Sequence, residues 1–273
     1  RILDQSEHQQ DKEHLPPAQR EALFSHHLRV ANLSYTYPGS DTPALSNISF
    51  EIKPGQMVGV LGKVGSGKTT LVNCLNSHLE IAPDTIFIDG IDITTLSRQD
   101  LRSAVRTITQ DPFLFSDTVS ENIQFGAGEL ADPLPLEQAL YQSDMLDEVR
   151  QFPEQESTLV GEKGILLSGG QKQRLSLSRG LYTPCKLMVL DNVLSAVDNE
   201  TERFLLDQIF NHARSAATLI ISHRATVLEK VDTILVLNAG RIVAQGTHAE
   251  LLESSQEYRH TWQLQQHASE AVA

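Results

Sequence analysis

Short apolar runs separated by polar, helix-forming stretches recur along the chain from Leu28 onward. The segment LRVANLSYTY alternates enough to predict a strand, and residues 48–52 predict a second short one. Six further runs predict strands, several of them apolar on both faces: QMVGVLG, TIFID, VRTITQ, KLMVLD, TLIIS and TILVL. Helices are predicted between them at residues 68–76, 98–105, 200–212 and 225–229. Strands that alternate with helices indicate an α/β fold with a mainly parallel sheet.

Residues 112–180 interrupt this alternation. They contain no convincing buried strand, and they predict helices at about 118–123, 136–149 and 170–181, which together indicate a helical insertion into the α/β core. Residues 1–27 are polar with two adjacent prolines, and we interpret them as a tail or linker. Residues 257–266 predict a C-terminal helix, followed by a short tail.

Composition and charge narrow the function classes. The 273 residues carry 22 basic and 35 acidic side chains, a net charge of −13, which disfavours nucleic acid and anionic lipid as partners. No run approaches the ~18 consecutive apolar residues that a membrane span needs, so we expect no direct membrane insertion. Two cysteines cannot form a disulfide framework, which favours a reducing compartment. Because the chain begins with Arg1, we expect it to be part of something longer.

The first chemical motif is GKVGSGKT at residues 62–69, which matches the P-loop pattern between a predicted strand and a predicted helix. Its glycines let the backbone turn N–H groups toward phosphate oxygens, and the following helix adds the positive end of its dipole. Lys68 supplies a charge for the β- and γ-phosphates, and the Thr69 hydroxyl is suited to Mg²⁺. The motif therefore predicts a nucleoside triphosphate site.

Two later motifs narrow this prediction. LSGGQ at residues 167–171 offers Ser168 as a helix N-cap and two glycines that permit close backbone approach, so it predicts a second helix N-terminus suited to an anion. KLMVLD at residues 186–191 places Asp191 at the carboxyl end of a buried strand. Ligands of open α/β sheets bind at that edge, where Asp191 would hold Mg²⁺.

In this order, the three motifs resemble the nucleotide-binding domain of an ABC transporter, and the resemblance covers about residues 28–266. It implies a P-loop NTPase (RecA-like) fold with a mainly parallel sheet core, an N-terminal antiparallel β subdomain and a helical subdomain that carries the LSGGQ signature. The implied divisions are 1–27 (linker from a transmembrane domain), 28–111 (antiparallel β subdomain and first part of the core), 112–180 (helical subdomain), 181–256 (second part of the core) and 257–273 (C-terminal helix and tail).

The resemblance also implies roles for individual residues. Gln110 resembles the glutamine that reaches Mg²⁺ and the attacking water, and His223 the switch histidine that contacts the γ-phosphate. The implied ATP contacts in the chain's own site are Tyr37 (stacked on adenine), Gly62, Gly65, Ser66, Gly67, Lys68, Thr69 and Thr70. The implied contacts with ATP on a partner domain are Ser168, Gly169, Gly170, Gln171 and Asp198. The implied Mg²⁺ ligands are Thr69, Gln110 and Asp191, and the implied catalytic positions are Gln110, Asp191, Asn192 and His223.

Further segments resemble the exporter type of this family, in which the domain follows a transmembrane domain on the same chain. These are FLFSDTVSENI after Gln110 and GTHAELLESSQEY near the end. Residues 158–162 and 113–122 resemble the segments that touch the coupling helices of the transmembrane domain. The resemblance therefore implies a place at the cytoplasmic face of the inner membrane.

One position departs from the family pattern. The catalytic Glu is expected after Asp191, but the residue there is Asn192, whose amide can orient a water and cannot take its proton. Losing a general base costs about 10²- to 10⁴-fold in rate, so we expect this site to bind Mg-ATP and hydrolyse it poorly.

Two readings of Asn192 stay open. An intact LSGGQ beside a defective base resembles the degenerate-site subunit of a heterodimeric multidrug- or lipid-type exporter, whose partner domain keeps an intact Glu. The alternative is a natural or engineered variant of a homodimeric exporter.

Other function classes also stay open. They are a regulatory nucleotide-binding module, a chromosome-associated or repair ATPase and an importer ATPase. The short interval between the motifs, the net charge of −13 and the exporter-like segments speak against the last two.

Overall fold

The computed structural model describes residues 12, 14–125, 127, 133–161, 165–212 and 216–270. The strands are β1 Leu28–Tyr35, β2 Leu45–Ile52, β3 Met57–Leu61, β4 Ile86–Ile88, β5 Ile91–Asp92, β6 Val105–Ile108, β7 Leu187–Asp191, β8 Ala217–Ser222, β9 Thr233–Asn238 and β10 Arg241–Gly246. The helices are α1 Pro17–Ala22, α2 Lys68–Leu75, α3 Arg98–Ala104, α4 Val119–Gln124, α5 Leu136–Gln142, α6 Leu146–Gln151, α7 Gly169–Tyr182, α8 Asn199–His212, α9 His248–Ser254 and α10 Gln256–Glu270.

The larger sheet has six strands in the order β10-β9-β3-β8-β7-β6. All neighbours pair in parallel except β10, which runs antiparallel to β9. Every residue of β3, β7 and β8 is buried, because these apolar runs are covered on both faces. The predicted α/β class with a mainly parallel sheet is confirmed, and the carboxyl ends of β3, β7 and β8 lie at one edge.

The smaller sheet is antiparallel in the order β2-β1-β4-β5. It includes TIFID as β4, which therefore lies outside the parallel sheet. One apolar cluster contains Val30 of β1, Val60 of β3 and Leu71 of α2, so the helix after the P-loop packs with both sheets. The antiparallel β subdomain implied by the family resemblance is thus present and is joined to the core by shared packing.

The segment between β6 and β7 contains α4–α7 and has its own apolar cluster, which includes Val119, Leu140, Val149 and Leu175. The single helix predicted for residues 136–149 is wrong, since α5 and α6 are separate. Asp144 lies between them with φ 57°, a left-handed conformation that a short polar residue adopts more readily than most. The helix predicted at 225–229 is a 3-10 turn at Ala225–Leu228.

Part of the predicted linker packs on the core. Leu23 and Phe24 are buried, and α1 precedes them. The fully buried carboxylate of Asp100 accepts hydrogen bonds from the Leu15 backbone N–H at 2.9 Å and from Arg20 Nε at 2.6 Å. Residues 14–27 of the predicted tail or linker therefore contact the core, because the buried carboxylate on α3 requires hydrogen-bond partners. Residues 1–11 and 13 of that linker lie outside the described residues.

Within the described ranges, no helix combines the length and the apolar composition that crossing a membrane requires.

Candidate functional site

The P-loop connects β3 to α2, and two of its glycines are needed for different reasons. Gly67 has φ 104°, and a Cβ there would lie 2.7 Å from the Ala44 carbonyl oxygen, so only glycine fits against that backbone. Gly65 has φ 80° and open space where a Cβ would be. The loop is therefore held tightly at its base and leaves backbone exposed at its tip.

Polar groups of the loop point inward. Lys68 Nζ donates to the carbonyl oxygens of Gly62 at 2.7 Å and Lys63 at 2.8 Å. The buried Ser66 Oγ is without a hydrogen-bond partner in the described structure. Such a hydroxyl is costly unless something binds it. An inward-facing hydroxyl, an ammonium group and curled backbone fit the phosphates of a nucleotide.

Asp191 lies at the carboxyl end of β7 and is 5% exposed. Burial raises the pKa of Asp191, the charge of Lys68 opposes this shift, and Asp111 adds to it. Burial likewise lowers the pKa of Lys68, and Asp191 opposes that shift. The two groups thus interact electrostatically across the β3 and β7 strand ends, which is where the sequence analysis predicted them.

Asn192 connects two other predicted residues. Its Nδ2 donates to Gln110 Oε1 at 3.3 Å, and its Oδ1 pairs with His223 Nδ1 at 2.9 Å. Asn192 has φ 55°, and its backbone N–H donates to the Ile221 carbonyl oxygen at 2.9 Å. Three side chains from three separate loops therefore form one hydrogen-bonded row at the edge of the sheet.

This row determines what the site can do with protons. An amide oxygen only accepts, so His223 carries a proton on Nδ1, and the neutral ring keeps a free lone pair on Nε2. Partial desolvation of its ring lowers the pKa of His223, although the residue as a whole is exposed, and the charges of Lys68 and Arg224 lower this pKa further. Asn192 has no lone pair basic enough to accept a proton from water, so this residue can orient a water without deprotonating it.

Tyr37 and Thr70 meet at one side of the P-loop helix. The Tyr37 hydroxyl lies 3.1 Å from Thr70 Oγ1, and its ring packs edge-on against Tyr35 at 5.1 Å. Tyr37 remains 41% exposed, so the ring has a free face for a planar ligand. Thr69, the predicted Mg²⁺ ligand, is exposed.

The signature forms the N-terminus of α7. Ser168 Oγ accepts from the Gln171 backbone N–H at 3.2 Å and Gln171 Oε1 accepts from the Ser168 N–H at 2.8 Å, which is a capping box. Gln171 Nε2 also donates to Glu148 on α6 at 2.8 Å. Gly169 is exposed with nothing near its Cβ position, whereas a Cβ on Gly170 would lie 2.7 Å from the Ala196 carbonyl oxygen. The signature thus rests on its own helical lobe and presents Gly169 outward.

Asp198 has a partner within the chain. Its Oδ1 accepts from the backbone N–H groups of Glu200 and Thr201, both at 3.0 Å, so it caps the N-terminus of α8. These hydrogen bonds lower the pKa of Asp198, and those from Thr201 contribute the most. The predicted role toward a partner's nucleotide would have to coexist with this cap.

Gln173 is a connecting residue that the sequence analysis did not single out. Its Nε2 donates to the Gln110 carbonyl oxygen at 3.3 Å and to Ser195 Oγ at 3.1 Å, and its Oε1 accepts from the Ala196 N–H at 3.2 Å. One buried amide on the signature helix therefore joins the loop of Gln110 to the loop after Asn192. The only hint of this role in the sequence is that Gln173 is a polar residue on the buried face of a predicted helix.

An apolar surface lies on the helical lobe near Phe113 and Leu159, which are 69% and 47% exposed. Thr118 and Leu159 form an antiparallel bridge, so the two segments predicted to touch a membrane domain are neighbours. Arg179 holds the first segment by donating to the carbonyl oxygens of Phe113 at 2.9 Å and Asn122 at 2.7 Å. Glu162, predicted as part of this surface, lies outside the described residues.

Among the described residues, no group of three or more His, Cys, Asp or Glu side chains is arranged to hold a metal ion. Mg²⁺ in a nucleotide site is commonly held by one or two protein oxygens together with phosphates and water. The buried Asp191 carboxylate and the Thr69 hydroxyl supply oxygens of that kind.

Comparisons with known proteins agree with this geometry. The family model described as "ABC transporter" matches residues 45–195. The chain is 40% identical over 254 residues to an "ATP-dependent lipid A-core flippase" of Pseudomonas fluorescens Pf-5, covering 92% of this chain and 42% of the relative. It is 38% identical over 232 residues to "Multidrug resistance-like ATP-binding protein MdlA" of Escherichia coli K12, covering 85% of this chain and 39% of the relative. The chain thus spans about two fifths of the length of these curated relatives.

A solved structure described as a bacterial Atm1-family ABC exporter with ATP bound is also similar. It superposes with a TM-score of 0.84 at 30% identity, covering 97% of this chain and 47% of that chain.

Proposed function

The chain belongs to the ABC transporter family, whose general activity is ATP hydrolysis, and from this premise we propose that it is the ATP-binding motor domain of an exporter. In this proposal it pairs with a second cassette domain around Mg-ATP and drives an attached transmembrane domain. The P-loop supports nucleotide binding through the inward Lys68 and the unpartnered Ser66 hydroxyl. Mg²⁺ would neutralise phosphate charge when bound, with Thr69, Gln110 and Asp191 as its protein ligands.

The hydrogen-bonded row of Gln110, Asn192 and His223 supports slow hydrolysis at this site. At the position of the family's general base, the Asn192 amide already hydrogen-bonds Gln110 Oε1 at 3.3 Å and His223 Nδ1 at 2.9 Å. Asn192 would orient a water and His223 would face the γ-phosphate, and neither the amide nor a histidine with a lowered pKa is a strong base there. We therefore assign this site to ATP retention with slow hydrolysis.

The signature supports a role toward a partner domain. Ser168 and Gln171 are engaged in their capping box, and the exposed Gly169 leaves the N-terminus of α7 open. An open helix N-terminus with free N–H groups suits the γ-phosphate of a nucleotide on another subunit. Together with the deficient base at Asn192, this favours a heterodimer in which the partner's site keeps its Glu.

The surface of Phe113 and Leu159 is assigned to the coupling helices of a membrane domain. Exposed aromatic and aliphatic side chains held on a rigid lobe suit protein contact. The motor would then lie at the cytoplasmic face of the inner membrane. The names of the flippase and multidrug relatives favour lipid-like or drug-like amphiphiles as cargo.

Photolabelling with an azido-ATP that carries a γ-phosphate label tests this proposal. The assembled transporter is incubated with Mg-nucleotide, and the label on each chain is read before and after turnover. We expect this chain to keep the triphosphate while the partner chain loses the γ-label. Equal loss of the γ-label from both chains would contradict the assignment of slow hydrolysis.

The same experiment distinguishes a regulatory module. Retention of label on this chain without turnover on any partner would indicate a nucleotide-sensing domain and not a motor.

A further inference from the structure

The last helix, α10, packs on the core through one face. Tyr258 is fully buried, and its hydroxyl lies 2.7 Å from His248 Nδ1. The ring of Trp262 packs against the same His248 at a centroid distance of 4.4 Å. Gln265 follows Trp262 by three positions, so Tyr258, Trp262 and Gln265 share one side of the helix. The packing of the first two residues fixes where the third side chain lies.

Both ends of the Gln265 amide contact the turn that follows β8. Its Oε1 accepts from the Ala225 backbone N–H at 2.7 Å. Its Nε2 donates to the His223 carbonyl oxygen at 2.9 Å. These two backbone groups flank Arg224, so a single side chain on α10 holds the peptide units on both sides of Arg224, and the first of these follows the predicted switch histidine directly.

His223 is thus held from two directions. Its ring is fixed by Asn192 at 2.9 Å, and its backbone is fixed by Gln265. The neighbouring Arg224 is fixed separately, by an ion pair with Glu202 on α8. Since His223 is exposed, the hydrogen bonds at its ring and at its backbone carry much of its positioning.

We propose that Gln265 is a positioning residue for His223, through which the C-terminal helix sets where the imidazole meets the γ-phosphate. This rests on the proposed function, in which His223 contacts that phosphate. Gln265 itself reaches two backbone groups and touches no reacting atom. Its loss should therefore weaken recognition of the third phosphate and leave the rest of the nucleotide site intact.

The test compares ATP and ADP affinity in the full chain. Gln265→Leu removes both hydrogen bonds at similar side-chain volume, and Gln263→Leu on an exposed position of the same helix is the matched control. We expect Gln265→Leu to weaken ATP binding about fivefold to tenfold, the loss expected for one or two hydrogen bonds. ADP binding should stay unchanged, and Gln263→Leu should match the wild type.

A double-mutant cycle separates positioning from simple support of the fold. His223→Ala should lower the ATP preference, and adding Gln265→Leu to it should cause no further loss. Gln265→Glu keeps the acceptor for the Ala225 N–H but turns an oxygen toward the His223 carbonyl oxygen. Its ATP affinity should therefore lie between those of the wild type and Gln265→Leu. It also serves as the second variant if Gln265→Leu folds poorly.

Four results would overturn the inference. Equal weakening of ATP and ADP by Gln265→Leu would indicate a structural role alone. Additive effects with His223→Ala would mean that Gln265 acts elsewhere. If His223→Ala lowers the ATP preference and Gln265→Leu does not, the inference fails while the proposed function stands. If His223→Ala leaves the preference unchanged, the γ-phosphate role of His223 fails, and the inference fails with it.

Discussion

Replacing Asn192 by Glu should restore a general base to this site. Glu extends one methylene beyond Asn, and its carboxylate would accept the His223 Nδ1 proton that Asn192 Oδ1 now accepts at 2.9 Å. Gln110 Oε1 now faces the Asn192 amide nitrogen at 3.3 Å, so the Gln110 amide must turn to present its own N–H groups. This rotation is available to an exposed side chain.

The expected gain follows from two opposing effects. A positioned general base contributes about 10²- to 10⁴-fold, which is about 2.7 to 5.4 kcal/mol of activation free energy. Residue 192 has φ 55°, where Asn is tolerated and Glu costs roughly 1 kcal/mol. That cost lowers the stability of the fold and makes the correct placement of the carboxylate less favourable. We therefore expect a gain near the lower limit, about 100-fold in phosphate release.

In the heterodimer proposed above, the assay measures phosphate release by the assembled pair, with the catalytic Glu of the proposed partner replaced by Gln so that this site reports alone. Asn192→Gln is the matched control, because it has the same length and the same backbone cost and supplies no base. Equal rates for the Glu and Gln variants would refute the reasoning, and so would a Glu variant that binds ATP without any gain.

Three further changes test other parts of the site. Lys68→Ala should weaken ATP binding about 10- to 100-fold by removing a charge-assisted contact, as measured by calorimetry; unchanged affinity would reject the P-loop assignment. A Cβ at Gly169 would meet no atom within 4 Å in this chain, so in Gly169→Asp the melting temperature and the chain's own ATP affinity should stay constant while hydrolysis on the partner falls. A fall in the chain's own affinity would reject the arrangement across subunits. Arg20→Leu should destabilise the fold by about 2 kcal/mol in denaturant titrations, less than for a fully buried pair because Ser97 still donates to Asp100.

Arg20→Leu also has a pH dependence with a defined sign. Burial raises the pKa of Asp100, but hydrogen bonds from Ser97 and Leu15 and the pairing with Arg20 outweigh it, and the net pKa is lowered. The carboxylate therefore stabilises the fold above its unfolded pKa of about 3.9, and this stability is lost as pH falls through the lower folded value. The difference in the free energy of unfolding between the wild type and Arg20→Leu should therefore become smaller at acidic pH.

The site was predictable where its chemistry depends on short local patterns. Gly67 and Lys68 follow a buried strand, and Asp191 ends another, so sequence order alone placed them at one edge of the sheet. The N-cap formed by Ser168 likewise follows from a local sequence pattern, and Ser168 caps α7 in the structure. The break between α5 and α6 was missed because Asp144 carries no glycine or proline signal, although it adopts φ 57°.

The remaining contacts join positions far apart in the chain. Leu15 reaches Asp100 across 85 positions, and Gln265 reaches Ala225 across 40. Each involves an ordinary polar residue whose local pattern indicates only a solvated helix or tail. Their roles appear only when packing brings a backbone group or a buried charge within hydrogen-bond distance.

The bond between Leu15 and Asp100 has a mechanical consequence. Asp100 lies on α3, which leads directly into β6 and then to Gln110. Because Leu15 precedes α1, a pulling force applied to the chain ahead of Leu15 would reach α3 through this bond before it reaches α1. The chain therefore has a short path along which tension could reach the loop that contacts Asn192.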